Sequence, residues 1–160
     1  MQEFFLDNRN IIVFSHVISA VIWVGGMLAM RFAAHQSFME IESPLKRLER
    51  ISHALKRLFN IVLPFVIILL ITAIFMIKGY ELSDTEFSAL AHAKEGIWSV
   101  MFLNLLFMMF RRNKAEKLLE IGDTMRAKNQ LGMIGKYMVP FNIILGVIAI
   151  FLGTTLSSSF

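Results

Sequence analysis

The stretch NIIVFSHVISAVIWVGGMLAM, residues 10–30, decides the fold because it contains no charged residue. A helix needs about 20 consecutive apolar residues to cross a hydrocarbon layer ~30 Å thick. This stretch lies between Arg9 and Arg31 and is long enough. It therefore predicts a membrane-spanning helix whose single ionisable side chain is that of His16.

Three further stretches of the chain are also free of charge. They lie between Arg57 and Lys78, between Glu95 and Arg111, and after Lys136. The whole chain is 56% hydrophobic and 18% charged, against roughly 25% charged residues in soluble domains. We predict an all-α integral membrane four-helix bundle that forms a single transmembrane domain, residues 1–160.

The basic residues predict the orientation of these helices. Most of them lie in the first and third connections between the charge-free stretches, namely Arg31, Lys46, Arg47, Arg50, Lys56 and Arg57, and then Arg111, Arg112, Lys114, Lys117, Arg126, Lys128 and Lys136. Connections rich in Lys and Arg stay cytoplasmic. We therefore expect a multi-pass protein of a bacterial-type inner (plasma) membrane, with both termini on the outer side. Its basic residues contact the lipid bilayer in this interpretation, and no nucleic-acid partner is expected.

Two features that would change this interpretation are absent from the sequence. Residues 1–10 have no basic cluster ahead of an apolar core, so they do not resemble a signal peptide. The chain has no cysteine, which excludes disulfides and thiolate metal sites.

The first basic connection predicts an amphipathic cytoplasmic extension. In SPLKRLERISHALKRLF, residues 43–59, Ser43 is a candidate N-cap and Pro44 occupies the first helical position. Leucine and isoleucine follow at helical spacing. We expect a helix that continues into the second span.

An offset of 76 residues aligns the chain with itself and predicts two repeats, residues 8–79 and 84–156. Pro64-Phe65 then aligns with Pro140-Phe141, and His16 aligns with His92. Both halves would run in the same direction, so their pseudo-twofold axis should lie along the membrane normal. If His16 faces this axis, His92 should face it from the opposite side at the same depth.

Two opposed imidazoles in a helix bundle predict a b-type haem whose iron is bound from both faces. His16 and His92 are the candidate metal ligands. Trp23 and Gly26 lie on the face of the first span that follows His16, where small residues would leave room for the macrocycle. An interhelical hydrogen bond from a single histidine is the alternative. His35 and His53 are candidates for a second haem.

Lys94 and Glu95 interrupt the repeat and are candidate catalytic residues. Lys94 could pair with a haem propionate or with a carboxylated substrate, and Glu95 could carry protons. The alternative is a pair that extends toward the membrane interface. The 11 methionines raise a copper alternative, because thioethers bind Cu(I). In that interpretation His16, Met27 and Met30 would form a metal path.

The segment HVISAVIWVGG, residues 16–26, followed by Arg31, resembles the first helix of the HemJ-type protoporphyrinogen IX oxidases and of the related CopD-like domains. His92-Ala-Lys94 resembles the His-x-Lys at the start of a later helix in the same family. The resemblance implies a small helical membrane protein that binds b-type haem. It also implies that His16 and His92 are the ligands and that Lys94 contacts a substrate or a propionate.

The expected function is that of a haem b protein with an electron-transfer or oxidoreductase role, which oxidises a tetrapyrrole or exchanges electrons with a quinone. One alternative is a CopD-like protein that transports or handles copper. Another is a small non-catalytic subunit of a larger membrane complex. The sequence leaves open whether the chain forms a homo-oligomer.

Overall fold

The computed structural model describes residues 2–80 and 88–157, and within these ranges the chain is helical and has no β-strand. The helices are α1 (Gln2–Ala29), α2 (His35–Met39), α3 (Pro44–Gly79), α4 (Ser88–Glu120), α5 (Thr124–Met133) and α6 (Val139–Ser157). Two π-helical segments join neighbouring helices, Met30–Ala34 between α1 and α2 and Ile134–Met138 between α5 and α6. The all-α prediction is confirmed.

Four helical runs are long and apolar enough to cross a membrane: Glu3–Met39, Pro44–Gly79, Ser88–Glu120 and Thr124–Thr155. The shortest has 32 residues, which at ~1.5 Å per residue corresponds to ~48 Å. Each run therefore exceeds the ~30 Å hydrocarbon layer and extends beyond it. The sequence predicts the number of these runs correctly.

The predicted start of the second run is confirmed. Pro44 is the first residue of α3, and the Ser43 hydroxyl accepts a hydrogen bond from the Lys46 backbone N–H at 3.5 Å. From there α3 continues without a break through Pro64 to Gly79. The amphipathic extension and the second span are thus one helix.

The end of the bundle that carries residues 31–57 and 111–136, called the basic end below, is packed. Leu48 and Leu55 of α3 are buried in the same core as Ala115 of α4 and as Ala127 and Leu131 of α5. This core is continuous with the middle of the bundle. The amphipathic extensions therefore lengthen the bundle at its basic end.

The long helices form a four-membered ring. Helix α1 packs against α3 and α6, and α4 packs against the same two neighbours. Helices α1 and α4 therefore lie diagonally across the bundle axis. The predicted repeat would require this relation, but the duplication itself stays a prediction, and its second half begins at residue 84, outside the described residues.

A buried amide pair holds α4 and α6 together. Asn104 donates to the Asn142 side-chain oxygen at 2.8 Å and to the Met138 carbonyl at 2.9 Å. Asn142, which is 1% exposed, donates in turn to the Met101 carbonyl at 3.2 Å. The pair lies immediately after the π-helical segment and beside Pro140, where the helical hydrogen-bond pattern is interrupted.

Candidate functional site

His16 of α1 lies against Thr72 of α3 in the half of the bundle away from the basic end. The His16 Nδ1 atom is 2.9 Å from the Thr72 hydroxyl oxygen, and Thr72 is 7% exposed. Thr72 is the only residue with a polar side chain between Asn60 and Lys78. An isolated hydroxyl in an apolar helix thus has a histidine as its partner on the neighbouring helix.

The hydrogen bonds of Thr72 determine which imidazole nitrogen carries the proton. The hydroxyl has one proton, and it points toward the carbonyls of its own helix, with the Ile68 oxygen at 2.8 Å and the Leu69 oxygen at 3.1 Å. The hydroxyl oxygen must therefore accept from His16, so we infer that Nδ1 carries a proton. In the neutral imidazole this leaves a lone pair on Nε2, which can bind a metal or accept a proton.

Lys94 of α4 reaches the same region from the diagonal position. A methyl group added to Gly153 of α6 would lie 3.2 Å from the Lys94 Nζ atom, and the ammonium is near enough to His16 to act on it electrostatically. Within residues 2–80 and 88–157 no carboxylate forms an ion pair with Lys94. A partly buried cation without a counter-ion is costly in an apolar bundle. The site therefore favours an anionic ligand.

His92 and Glu95 point away from the face of α4 that carries Lys94. The His92 Nδ1 atom is 3.1 Å from the Glu95 carboxylate, and their side chains are 74% and 53% exposed, respectively. Residues two apart on a helix point about 200° away from each other, so Lys94 and His92 cannot both face the axis. The structure turns Lys94 toward α6 and the bundle interior and leaves the side chains of His92 and Glu95 exposed.

The predicted arrangement of two opposed histidines therefore does not occur in this structure. The alignment at an offset of 76 residues pairs His16 with His92, whereas in the structure His16 pairs with Thr72 and the α4 residue that turns inward is Lys94. A haem held between His16 and His92 does not fit this geometry. The assignment of His92 as a metal ligand stays a prediction that would require α4 to rotate.

Trp23 and Gly26 contribute to packing between His16 and the basic end. Trp23 is 2% exposed, and a methyl group on Gly26 would lie 3.0 Å from the Leu58 side chain of α3. The small residue at position 26 thus brings α1 and α3 close together. The indole N–H groups of Trp23 and Trp98 are buried without a hydrogen-bond acceptor in the described part of the chain, so both could donate to a ligand.

The other candidate ligands do not form clusters. No group of three or more His, Asp or Glu side chains suited to a metal occurs in the described part of the chain. No hydrogen bond joins His35 to the exposed His53 among these residues. Met27 is 11 residues from His16 on the same helix, or ~16 Å along its axis, and is 1% exposed in the core. The copper path gains no support from this spacing.

Two residues of the site are missing from the sequence-based prediction. Thr72 could have been found as the isolated hydroxyl in the second span. Trp98 lies one helical turn after Lys94 and belongs to the same inward-facing series as Met101 and Leu105. Lys94, Trp98, Met101 and Leu105 follow one another at intervals of four, three and four residues. This helical spacing could have indicated that Lys94, rather than His92, faces inward.

Comparison of the chain with protein families, with curated proteins and with solved structures finds no match.

Proposed function

We propose that the chain is an integral protein of a bacterial-type inner membrane, with both termini on the outer side. Besides the four apolar runs, the surface of the bundle supports this placement. Phe14 of α1, Phe107 of α4 and Phe151 of α6 are 66%, 63% and 68% exposed, and Ile71 of α3 is 48% exposed. Apolar side chains exposed on all four long helices suit lipid far better than water. The basic end then lies in the cytoplasm.

Within this bundle we propose a b-type haem site with His16 as its protein ligand. The geometry supports one ligand from the chain, since Thr72 directs the proton to Nδ1 and leaves Nε2 to bind iron. Metal-binding histidines commonly donate their second N–H in this way. When bound, haem supplies one-electron chemistry. The resemblance to the HemJ-type oxidases is the second support for this cofactor.

Lys94 is proposed to neutralise a carboxylate in the same site. A haem propionate and a carboxylated tetrapyrrole substrate both carry such a group, and either would give the ammonium the counter-ion that it lacks in the described part of the chain. The buried indole N–H groups of Trp23 and Trp98 provide two further donors. His92 and Glu95, on the exposed face of α4, would exchange protons with the outer aqueous phase.

The proposed activity is electron transfer or oxidation of a tetrapyrrole or a quinone, as the HemJ-like resemblance implies. One observation carries this proposal. Among the described residues, the His16 Nε2 atom has no hydrogen-bond partner and Lys94 forms no ion pair, and ionisable groups at such positions in an apolar bundle commonly mark a site. The non-catalytic subunit of a larger complex is the alternative that the test below would favour if no cofactor were found.

The test is the absorbance spectrum of protein purified in detergent from cells supplied with a haem precursor. We expect a Soret band and about one haem iron per chain, both in the wild type and in a His35→Ala/His53→Ala control. Absence of the Soret band from the wild type would contradict the proposal. Two haem irons per chain in the wild type and one in the control would instead assign a second haem to the basic end.

A further inference from the structure

A groove of about 530 Å³ opens between α3 and α4 near the basic end of the bundle. Residues from both helices line it, among them Lys56, Phe59 and Asn60 of α3 and Met109, Arg112 and Lys117 of α4. It is separate from the His16 site. The chemistry of its walls indicates what it binds.

Arg112 is held rigidly in the wall of this groove. It is 2% exposed, and its guanidinium donates to the Ser52 carbonyl at 3.1 Å, to Asn113 at 2.9 Å and to Glu116 at 2.7 Å. A guanidinium has five N–H groups. Two of them therefore have no acceptor in the described part of the chain. A buried, fixed arginine with unused donors is suited to binding an oxyanion.

The remaining polar side chains of the groove are two lysines, two asparagines and two glutamates. Lys56 is 54% exposed and lies 3.8 Å from Glu116, which also pairs with Arg112. Lys117 is exposed and forms no ion pair with any described residue, and the Asn60 amide is exposed without a side-chain hydrogen bond there. With Glu120, the lining contains three cationic and two acidic side chains. The net charge of this lining is +1, and Glu116 is shared by Lys56 and Arg112. The spare donors of Arg112 and Lys117 thus favour a negatively charged ligand that accepts hydrogen bonds.

The surroundings of the groove connect it to lipid. Its floor includes Phe59, which is 1% exposed. Ile67 of α3 and Leu106 of α4 lie two turns from the lining residues Asn60 and Asn113, on the same helix faces, and are 49% and 41% exposed.

The charge-free stretch of α3 begins after Arg57 and that of α4 ends before Arg111, so Lys56 and Arg112 lie just beyond these stretches. An apolar stretch ends where the hydrocarbon layer ends. The groove therefore lies at the level of the headgroups on the basic side.

We propose that this groove binds the phosphate headgroup of an anionic phospholipid of the cytoplasmic leaflet, whose acyl chains run along Ile67 and Leu106. Basic pockets between membrane helices on the cytoplasmic side bind such headgroups. The proposal depends on the membrane placement given above and is independent of haem. Protein without haem is expected to bind the lipid equally well, so failure of the haem proposal would leave this one standing.

The test measures lipid binding to the full chain purified in dodecyl maltoside, by native mass spectrometry with added phosphatidylglycerol or phosphatidylcholine. We expect preferential binding of phosphatidylglycerol. Its affinity should fall roughly thirtyfold in Lys56→Gln/Lys117→Gln, because each lysine near a headgroup contributes ~1 kcal/mol. Both lysine side chains are exposed, so replacing them with glutamine should not unfold the protein.

The matched control is Lys46→Gln/Lys128→Gln, which changes the net charge equally at exposed positions outside the groove. We expect it to keep its affinity within about threefold of the wild type. An equal loss in both double variants, or no preference for phosphatidylglycerol, would overturn the proposal. Displacement of the lipid by inorganic phosphate alone at millimolar concentration would assign the groove to free phosphate and would also overturn it.

Discussion

Replacing Thr72 with valine should weaken haem binding more than it weakens the fold. Valine has nearly the same shape as threonine but lacks the oxygen that lies 2.9 Å from His16 Nδ1. His16 would keep its Nε2 lone pair in only one of its two tautomers, and its ring would no longer be held in one orientation. The variant thus removes the hydrogen bond that orients His16 but keeps His16 itself, the proposed haem ligand.

The expected magnitudes differ enough to separate the two effects. Loss of the hydrogen-bond partner of a metal ligand typically costs ten- to a hundredfold in affinity, or about 1.4 to 2.7 kcal/mol. Loss of an interhelical hydrogen bond in a membrane protein costs on average only ~0.6 kcal/mol of stability. We therefore expect a clear change in haem affinity with a small shift in the unfolding temperature.

The assay is a titration of the haem-free variant with haemin, followed by the Soret absorbance, alongside thermal unfolding of the same preparation. Thr72→Ser is the matched control, since it keeps the hydroxyl and removes only a methyl group. It should bind haemin nearly as well as the wild type. Wild-type affinity in Thr72→Val, or an equal loss in Thr72→Ser, would refute the role given to this hydrogen bond.

Three further predictions concern the lysine and the packing of the bundle. Lys94→Met should weaken binding of haemin about tenfold but not that of haemin dimethyl ester, which has no carboxylates; an equal loss with both ligands would contradict carboxylate pairing. Asn142→Leu should lower the free energy of unfolding by about 1 to 2 kcal/mol, because it removes a buried partner of Asn104. An unchanged unfolding temperature would contradict a stabilising role for this buried amide pair. Gly79→Ala should cost about 1 to 3 kcal/mol, because its methyl group would overlap the buried Phe5 ring. The cost of Gly79→Ala should disappear in a Phe5→Ala background, which removes the ring atoms that the methyl group would overlap, and a cost that persists there would point to another cause.

The long helices were predictable because a helix that crosses a lipid bilayer needs a long stretch without charged residues, and such stretches can be counted in the sequence. Charge-free stretches long enough to cross a bilayer give the four runs, and Ser43 followed by Pro44 gives the start of α3. These signals are local in the sequence. Packing at the basic end was not predictable in the same way. In the sequence, Arg112 is one of many basic residues, and its role in packing depends on the Ser52 carbonyl, which is 60 residues away along the chain.

The site was predictable in its residues but not in its geometry. His16 and Lys94 both stand out as ionisable residues near or within apolar stretches. Which residue of α4 faces His16 depends on the rotation of that helix about its axis, and a shift of two residues turns the side chain by about 200°. The rotation is set by the burial of Met101, Leu105 and Met108, which share a face with Lys94. A sequence alignment of the two halves does not contain this information.

The comparison of His16 with His92 tests the central proposal most directly. Haemin dissociation constants would be measured for His16→Ala and His92→Ala in the same detergent, with thermal unfolding as a control for the fold. We predict that His16→Ala loses the Soret band of the bound haem, whereas His92→Ala, at an exposed position paired only with Glu95 among the described residues, binds haemin with wild-type affinity. Retention of haemin binding by His16→Ala, or its loss in His92→Ala, would contradict a centre formed by His16 and Lys94.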